Sequence, residues 1–133
     1  MKDKFKIGDK VSHAFVVTYD DLAHFDAGLV HEVCSTYRLT KEMEWVGRLF
    51  VLEMKEEHEE GVGTMIELQH VSPAFEGDEV VFEATYQGFV DNELICDMEA
   101  RVGDRVIATG KTGQKIIAKE KIEKLFRQTH SGS

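Results

Sequence analysis

Three polar residues lie far apart along the chain but are of types that could do chemistry together: Thr36, Glu44 and His70. An imidazole takes up or gives up a proton near neutral pH, which makes it a natural acid or base. A carboxylate can serve as a base or a nucleophile, and a hydroxyl at a helix start lies beside free N–H groups that favour an oxyanion. These types indicate acid–base or nucleophilic chemistry if the fold brings them together.

Each of the three residues also has a purely structural explanation. Thr36 lies where a long helix is predicted to begin, and the pattern alone favours an N-cap there, worth about 1 kcal/mol. Glu44, inside an apolar stretch, could point to solvent or pair with Arg48 one turn later; otherwise it is buried or faces a cavity. His70 shares its strand parity with apolar residues and could be a hydrogen-bonded structural histidine. The pattern leaves these alternatives open.

Other residues of reactive types are weaker candidates. His24, Asp26 and His31 have the types of metal ligands but no tight spacing, so we expect no metal site. Cys34 precedes the helix and could in principle be a nucleophile, but a small buried thiol is the better explanation. Cys34 and Cys96 are the only cysteines, too few for a zinc finger or a disulfide framework.

The composition describes one acidic domain. The 133 residues include 16 basic and 25 acidic side chains, a formal net charge of −9, which argues against broad binding to a nucleic-acid backbone. No apolar run approaches the ~20 residues of a bilayer span, and the first residues lack an export signal. We therefore expect a cytoplasmic protein without a nucleic-acid or membrane partner. One domain should span residues 1–130, and 131–133 should be a frayed or tag-derived tail.

The segment from Thr36 to about Glu60 has the pattern of one long helix. Apolar residues recur there at intervals of three and four, as one helix face requires: Leu39, Met43, Val46, Phe50 and Met54. A second set widens the apolar surface: Trp45, Leu49 and Leu52. Because a helix that is apolar on most sides is normally buried on most sides, we predict a central helix that stops at Gly61.

Strand patterns flank this helix. Alternating apolar residues predict a half-buried strand over residues 11–19, and residues 20–29 indicate a turn with a short helix. Four further strands are predicted after Gly63. Asp91-Asn92 and Gly103-Asp104 are typical two-residue turns between the last three strands.

This order of elements predicts an α+β protein with the hotdog fold, in which an antiparallel sheet wraps around one long central helix. A short terminal helix is predicted over residues 119–127. A single sheet of this kind leaves its edge strands open, and pairing edges between subunits would close them. We therefore expect a homodimer, with a higher oligomer as an alternative.

Within this architecture the polar residues resemble the active-site pattern of the hotdog-fold acyl-CoA thioesterases, most closely the fluoroacetyl-CoA thioesterase family. The resemblance covers nearly the whole chain, from Lys6-Ile7-Gly8-Asp9 to the last strand. The family has a threonine at the helix start, a glutamate eight residues later in a Met-Glu-Trp segment, and a histidine further on. Thr36, Glu44 and His70 match these places. Gly63 matches a family glycine seven residues before the histidine.

The resemblance implies hydrolysis of an acyl-CoA thioester. The backbone N–H of Gly63 would bind the substrate by meeting the thioester carbonyl. Glu44 would be the nucleophile or the base for water, Thr36 would position or assist, and His70 would be the acid or base toward the thiolate leaving group. No cofactor is implied beyond the CoA of the substrate. In the family the site lies at the dimer interface, so both subunits contribute.

The sequence departs from the family pattern at two places. Ala27 and Val30 stand where the fluoroacetyl-specific enzyme has the phenylalanines of a lid, which implies a short- or medium-chain acyl-CoA rather than fluoroacetyl-CoA. Gln114 replaces an arginine of the last strand, so a bidentate donor is missing. Basic residues around this strand are candidates for a mouth that receives CoA: Lys111, Lys115 and the lysines of 119–124.

Two alternatives share the fold. A module that binds or senses acyl-CoA without turnover would fit the same sequence. A hotdog hydratase would need a different arrangement of aspartate and histidine, which the sequence lacks.

Overall fold

The computed structural model describes residues 1–132 and has the predicted α+β arrangement of one long helix against an antiparallel sheet. The strand order in the five-stranded sheet is β1-β5-β6-β7-β4, and β2 and β3 form a separate two-stranded sheet. The elements, in chain order, are β1 (Lys10–Val16), a 3-10 turn (Tyr19–Asp21), β2 (Leu22–Phe25), β3 (Gly28–Cys34), α1 (Thr36–Met54), β4 (Glu59–His70), β5 (Glu79–Val90), β6 (Glu93–Val102), β7 (Arg105–Ala118) and α2 (Lys119–Gly132).

Helix α1 begins at the predicted residue but with a different cap. The Ser35 hydroxyl accepts a 2.9 Å hydrogen bond from the backbone N–H of Arg38, so Ser35 is the N-cap. The prediction that Thr36 caps the helix is wrong. Thr36 is the first helical residue, and its hydroxyl is available for another contact.

The predicted end of α1 is also wrong, because the helix stops at Met54 and Gly61 lies inside β4. No proline or glycine marks this end in the sequence, so local pattern could not locate it. Tertiary contacts decide it instead. Glu60, the second residue of β4, accepts a 2.9 Å bond from Arg48, and Glu59 pairs with the N-terminal ammonium at 3.0 Å.

The core lies between one face of α1 and the inward side chains of β5, β6 and β7. The largest fully buried side chains include Phe50, Phe82, Leu39, Met43, Met54, Leu94 and Ile107. The prediction that α1 is buried on most sides is wrong for this single chain. Trp45 and Leu52 are each 42% exposed, so the second apolar side of the helix has no cover within the chain.

Both predicted hairpin turns are confirmed. Asp91 and Asn92 have φ of 50° and 67°, the paired positive values of a type I′ turn between β5 and β6. Gly103 has φ of 58° between β6 and β7. The β2–β3 hairpin was not predicted, because its strands are short, mostly exposed and interrupted by register shifts.

A partly buried polar network fixes the first turns of α1 to its neighbours. Glu42, 6% exposed, accepts a 2.9 Å bond from Arg38 and pairs with His13 of β1. The Arg38 Nε also donates to Asp21 at 3.0 Å, and its guanidinium lies 4.0 Å from the centre of the Phe15 ring. This network ties the start of the helix to β1 and to the 3-10 turn.

The two ends of the sheet differ in length. β1, at one edge, has seven residues, whereas β4, at the other, has 12. The terminal helix is longer than predicted, since α2 includes Ser131 and Gly132, which the sequence assigned to a tail; Ser133 lies outside the described residues. Within residues 1–132, none of the helices combines the length and apolar character that crossing a bilayer requires.

Gly110→Ala should destabilise this fold. A Cβ at Gly110 would lie 2.0 Å from the carbonyl oxygen of Glu67 and 2.9 Å from Cε of Met43, so β7 would have to move away from β4 and α1. We expect the free energy of unfolding to fall by about 1–3 kcal/mol, the usual cost of overpacking, measured by urea denaturation.

Gly132→Ala is the matched control, since nothing lies within 4 Å of its Cβ position. It should not lower stability. Wild-type stability for Gly110→Ala would contradict the packing described for this position.

Candidate active site

The Thr36 hydroxyl and the His70 imidazole are in direct contact. Oγ1 of Thr36 lies 3.0 Å from Nδ1 of His70. The other ring nitrogen, Nε2, is buried and has no hydrogen-bond partner among the described residues. Burial lowers the pKa of His70, an effect that the backbone of Ser72 partly offsets. The imidazole is therefore neutral at physiological pH and able to exchange a proton with the hydroxyl.

Backbone hydrogen bonds hold this pair in place. The N–H of Cys34 donates to the carbonyl of Ala74 at 2.7 Å, which joins the end of β3 to the segment that follows β4. The N–H of Ser35 donates to the carbonyl of Asp21 at 2.8 Å. The start of α1 is thus fixed beside the end of β4, where His70 lies.

Glu44 lies against Gly63 rather than in an ion pair with Arg48, which pairs with Glu60. A Cβ at Gly63 would be 3.1 Å from Oε1 of Glu44, so the glycine lets the carboxylate approach the backbone of β4. Glu44 is exposed in the single chain. It faces a pocket of about 270 Å³ that Gly63 also lines. Of the alternatives that the sequence left open for Glu44, the structure therefore has the one in which the carboxylate faces a cavity.

The chain brings the four site candidates together as two pairs rather than one cluster. Thr36 and Glu44 are separated by about 12 Å along the axis of α1, at ~1.5 Å per residue. Gly63 and His70 are separated by roughly 23 Å along β4, at ~3.3 Å per residue. Neither Thr36 nor His70 lines the pocket of Glu44. The catalytic roles of Thr36, Glu44 and His70, and the substrate-binding role of Gly63, remain predictions.

A larger cavity of about 830 Å³ lies beside Thr36, beneath the β2–β3 hairpin. Apolar side chains of the hairpin line it, among them Leu22, Phe25 and Ala27, together with His24 and His31. Val30, the other residue at a predicted lid position, does not line this cavity and is exposed.

The sequence did not single out two polar residues of β7 as parts of the site. Gln114 was noted only as a replaced arginine, and Thr112 was not considered. Both are buried, lie beneath Gly47 of α1 and line the pocket of Glu44. The alternation of β7 could have placed them on the helix side, but not beneath a glycine of α1.

The other residues of reactive types that the sequence analysis considered lie outside the Thr36–His70 and Glu44–Gly63 pairs. Burial raises the pKa of Cys34 to about 11, so its thiol stays protonated at neutral pH. His24 bonds the Tyr19 carbonyl at 3.0 Å, and residues 1–132 contain no cluster of three or more side chains arranged to hold a metal ion. Lys111 and Lys115 alternate with Thr112 and Gln114 and line a groove on the other face of the sheet.

Comparisons with known proteins find relatives over most of the chain. The family model of FlK, the fluoroacetyl-CoA-specific thioesterase, matches residues 17–120. A thioesterase superfamily member of Thermus thermophilus is 33% identical, with a TM-score of 0.90, and the match covers 97% of this chain and 96% of that chain. No curated protein matches the sequence.

Two further structures share the architecture. The fluoroacetyl-CoA thioesterase FlK is 23% identical, with a TM-score of 0.84 over 95% of this chain and 98% of that chain. A hot-dog-like protein from Thermanaerovibrio acidaminovorans is 22% identical, with a TM-score of 0.85 over 94% of this chain and 93% of that chain. These matches confirm the predicted hotdog fold.

The family model covers more than half of the chain, and the Thermus thermophilus relative is similar over nearly all of it. The chain therefore belongs to the fluoroacetyl-CoA-specific thioesterase family and is a hydrolase that acts on thioester bonds.

Proposed function

We propose that this enzyme hydrolyses short- or medium-chain acyl-CoA esters to the free acid and CoA, with Thr36, Glu44, His70 and Gly63 at its site. The contact between the Thr36 hydroxyl and the His70 imidazole is the observation that carries the proposal. It places a hydroxyl and an imidazole in hydrogen-bond contact at a helix start, an arrangement that can transfer protons during hydrolysis. The family's name supplies the CoA thioester as the substrate class.

The chemistry divides between the two pairs. The Gly63 N–H would polarise the thioester carbonyl, and Glu44 beside it would attack the carbonyl carbon or remove a proton from water. Thr36 and His70 would position the leaving group, and His70 would relay to the CoA thiolate the proton that leaves the water. If Glu44 takes a proton from water, a C–O bond to the water oxygen forms as the C–S bond breaks, which yields the acid and the free thiol. If Glu44 attacks the carbonyl carbon, breaking the C–S bond leaves an anhydride on Glu44, which water then hydrolyses to the acid.

The cavity beneath the β2–β3 hairpin supports the choice of acyl group. Its volume of about 830 Å³ exceeds the needs of a two-carbon acyl group, and Ala27 occupies one of the predicted lid positions that line it. The small side chain of Ala27 leaves room there that a phenylalanine would fill. We therefore favour short and medium acyl chains over fluoroacetyl.

A homodimer paired through β4 would unite the two pairs. β4 is an edge strand of 12 residues and carries Ile66, which is 38% exposed. Gly63 and His70 lie on either side of Ile66, so a two-fold axis near it would bring Gly63 of one subunit towards the partner subunit's His70. Each site would then combine Glu44 of one chain with Thr36 and His70 of the other.

Glu44→Gln and His70→Ala should each lower kcat/KM by about 10²-fold or more, because each removes a proton-transfer group. Release of free thiol is measured with a panel from acetyl- to octanoyl-CoA and with fluoroacetyl-CoA. Glu53→Gln is the matched control: Glu53 is also an exposed acid of α1 but pairs with Lys4. It should keep wild-type activity.

The same panel separates the alternatives. Thiol release from none of the esters by the wild type would contradict the hydrolase proposal for CoA substrates. A thermal shift with acyl-CoA that survives in Glu44→Gln, without turnover by the wild type, would instead identify a binding module.

The pH dependence should reflect the lowered pKa of His70. Since burial disfavours the charged imidazole, the residue should titrate below 6.5 in the folded protein, and kcat/KM should fall only below that pH.

For the same reason His70 should lower stability as the pH falls below 6.5, because the unfolded chain then binds the proton more strongly. NMR titration of His70 in folded and urea-unfolded protein measures its pKa in each state. A folded value at or above the unfolded one would contradict this.

Mixing two inactive variants should restore activity. In a mixed dimer of Glu44→Gln and His70→Ala subunits, one composite site has both wild-type groups, so random re-pairing should give about a quarter of the wild-type rate. The control mixes Glu44→Gln with Glu44→Gln,His70→Ala, which can form no intact site. No recovery in a mixture shown by light scattering to contain dimers would place both groups in one subunit.

The dimer itself is tested by light scattering. Wild type should have twice the 15.1 kDa chain mass, and Ile66→Asp on β4 should shift it towards the monomer. Val90→Asp, at the exposed end of β5, is the matched control and should stay dimeric. A monomeric wild type would rule out the composite site.

A further inference from the structure

A small polar hollow lies between α1 and β7. Thr112 is 2% exposed and Gln114 is 4% exposed, and both side chains end beneath Gly47. The position that a Cβ would take on Gly47 is 2.7 Å from Oγ1 of Thr112 and 3.1 Å from Nε2 of Gln114. Glycine at this point of the helix leaves room for the two polar groups.

The amide of Gln114 has no acceptor in the described part of the chain. Its Nε2 is buried without a hydrogen-bond partner. The Thr112 hydroxyl faces only the Cys96 thiol, which is a weak partner. A buried N–H without an acceptor costs about 1–3 kcal/mol, and such groups in native proteins usually bind ordered water or a ligand. The orphaned amide therefore points to a bound molecule.

The hollow belongs to the pocket of Glu44. Gln114 and Thr112 line the same pocket of about 270 Å³ as Glu44 and Gly63. Gln114 pairs with Gly63 in the β4–β7 register, and Gly47 follows Glu44 by one helical turn. Because a water molecule takes ~30 Å³ in the liquid, the pocket of about 270 Å³ has room for one beside the carboxylate.

We propose that Gln114 is a positioning residue that holds the hydrolytic water against Glu44; this rests on the proposed function. The Nε2–H group donates to the water oxygen, and the water donates one proton to the Glu44 carboxylate. One lone pair of the water stays free to attack the carbonyl carbon. A C–O bond forms as the C–S bond breaks, and the proton taken by Glu44 is balanced by the proton that the CoA thiolate gains.

Gln114→Met tests this role, because methionine has nearly the same size and shape but no N–H. Turnover is measured on an acyl-CoA that the wild type hydrolyses, with and without hydroxylamine, which competes with water for the acyl group and yields a hydroxamate. We expect kcat to fall about tenfold, the effect of one hydrogen bond, with KM within about twofold. After subtraction of the enzyme-free reaction of hydroxylamine with the ester, the hydroxamate share of the enzymatic product should rise, since only water has lost its hydrogen-bond donor.

Gln128→Met on the exposed face of α2 is the matched control and should change neither kcat nor the hydroxamate share.

A wild-type kcat and a wild-type hydroxamate share in Gln114→Met would overturn the proposal. A lower kcat with an unchanged share would also overturn it, because a merely structural change slows both nucleophiles alike. If Gln114→Met does not fold as judged by thermal unfolding, the smaller apolar Gln114→Leu, which also lacks an N–H, replaces it with the same expected outcomes. Absence of thiol release by the wild type would overturn the proposed function first; an effect missing only from the variants overturns this inference alone.

Discussion

The close approach of α1 to β4 and β7 is the constraint on which the rest of the structure depends. It requires glycine on both surfaces: a Cβ at Gly47, Gly63 or Gly110 would lie between 2.7 and 3.1 Å from the facing side chain of Thr112, Glu44 or Met43. Because these positions have no Cβ, the apolar face of the helix packs closely onto the sheet. The same approach brings the Glu44 carboxylate to the backbone of β4 and the Gln114 amide beneath the helix. Packing and site geometry therefore have one cause.

Periodicity predicted the elements well where burial is one-sided and regular. The apolar interval of α1, the alternation of β5 to β7 and both hairpin turns are local properties of the sequence, so the order and type of these elements could be predicted. The end of α1 at Met54 could not, because the contacts of Glu59 and Glu60 with distant groups decide it. The β2–β3 hairpin lacks a buried face and so gives no periodic signal.

The site could be predicted in its residue types but not in its arrangement. Sequence spacing gives the separation of Thr36 and Glu44 along a helix, yet it does not say which strand residue each one meets. The structure places Thr36 with His70 and Glu44 with Gly63. Gln114 could not be selected from the sequence, because what distinguishes it is an amide buried without a hydrogen-bond partner, which only a packed structure reveals.

Exposure in the single chain connects catalysis with assembly. Thr36, Glu44 and Gly63 are all exposed, and in bulk water their interactions with a developing negative charge would be strongly screened. A catalytic carbonyl site needs its donors in a water-excluded setting, where they act at full strength. The edge of β4 and the side chain of Trp45 are also uncovered in the single chain. One pairing event that covers this edge would satisfy its backbone groups, bury the apolar side of α1 and remove solvent from the site, so the need for a partner and the need for a dry site have the same solution.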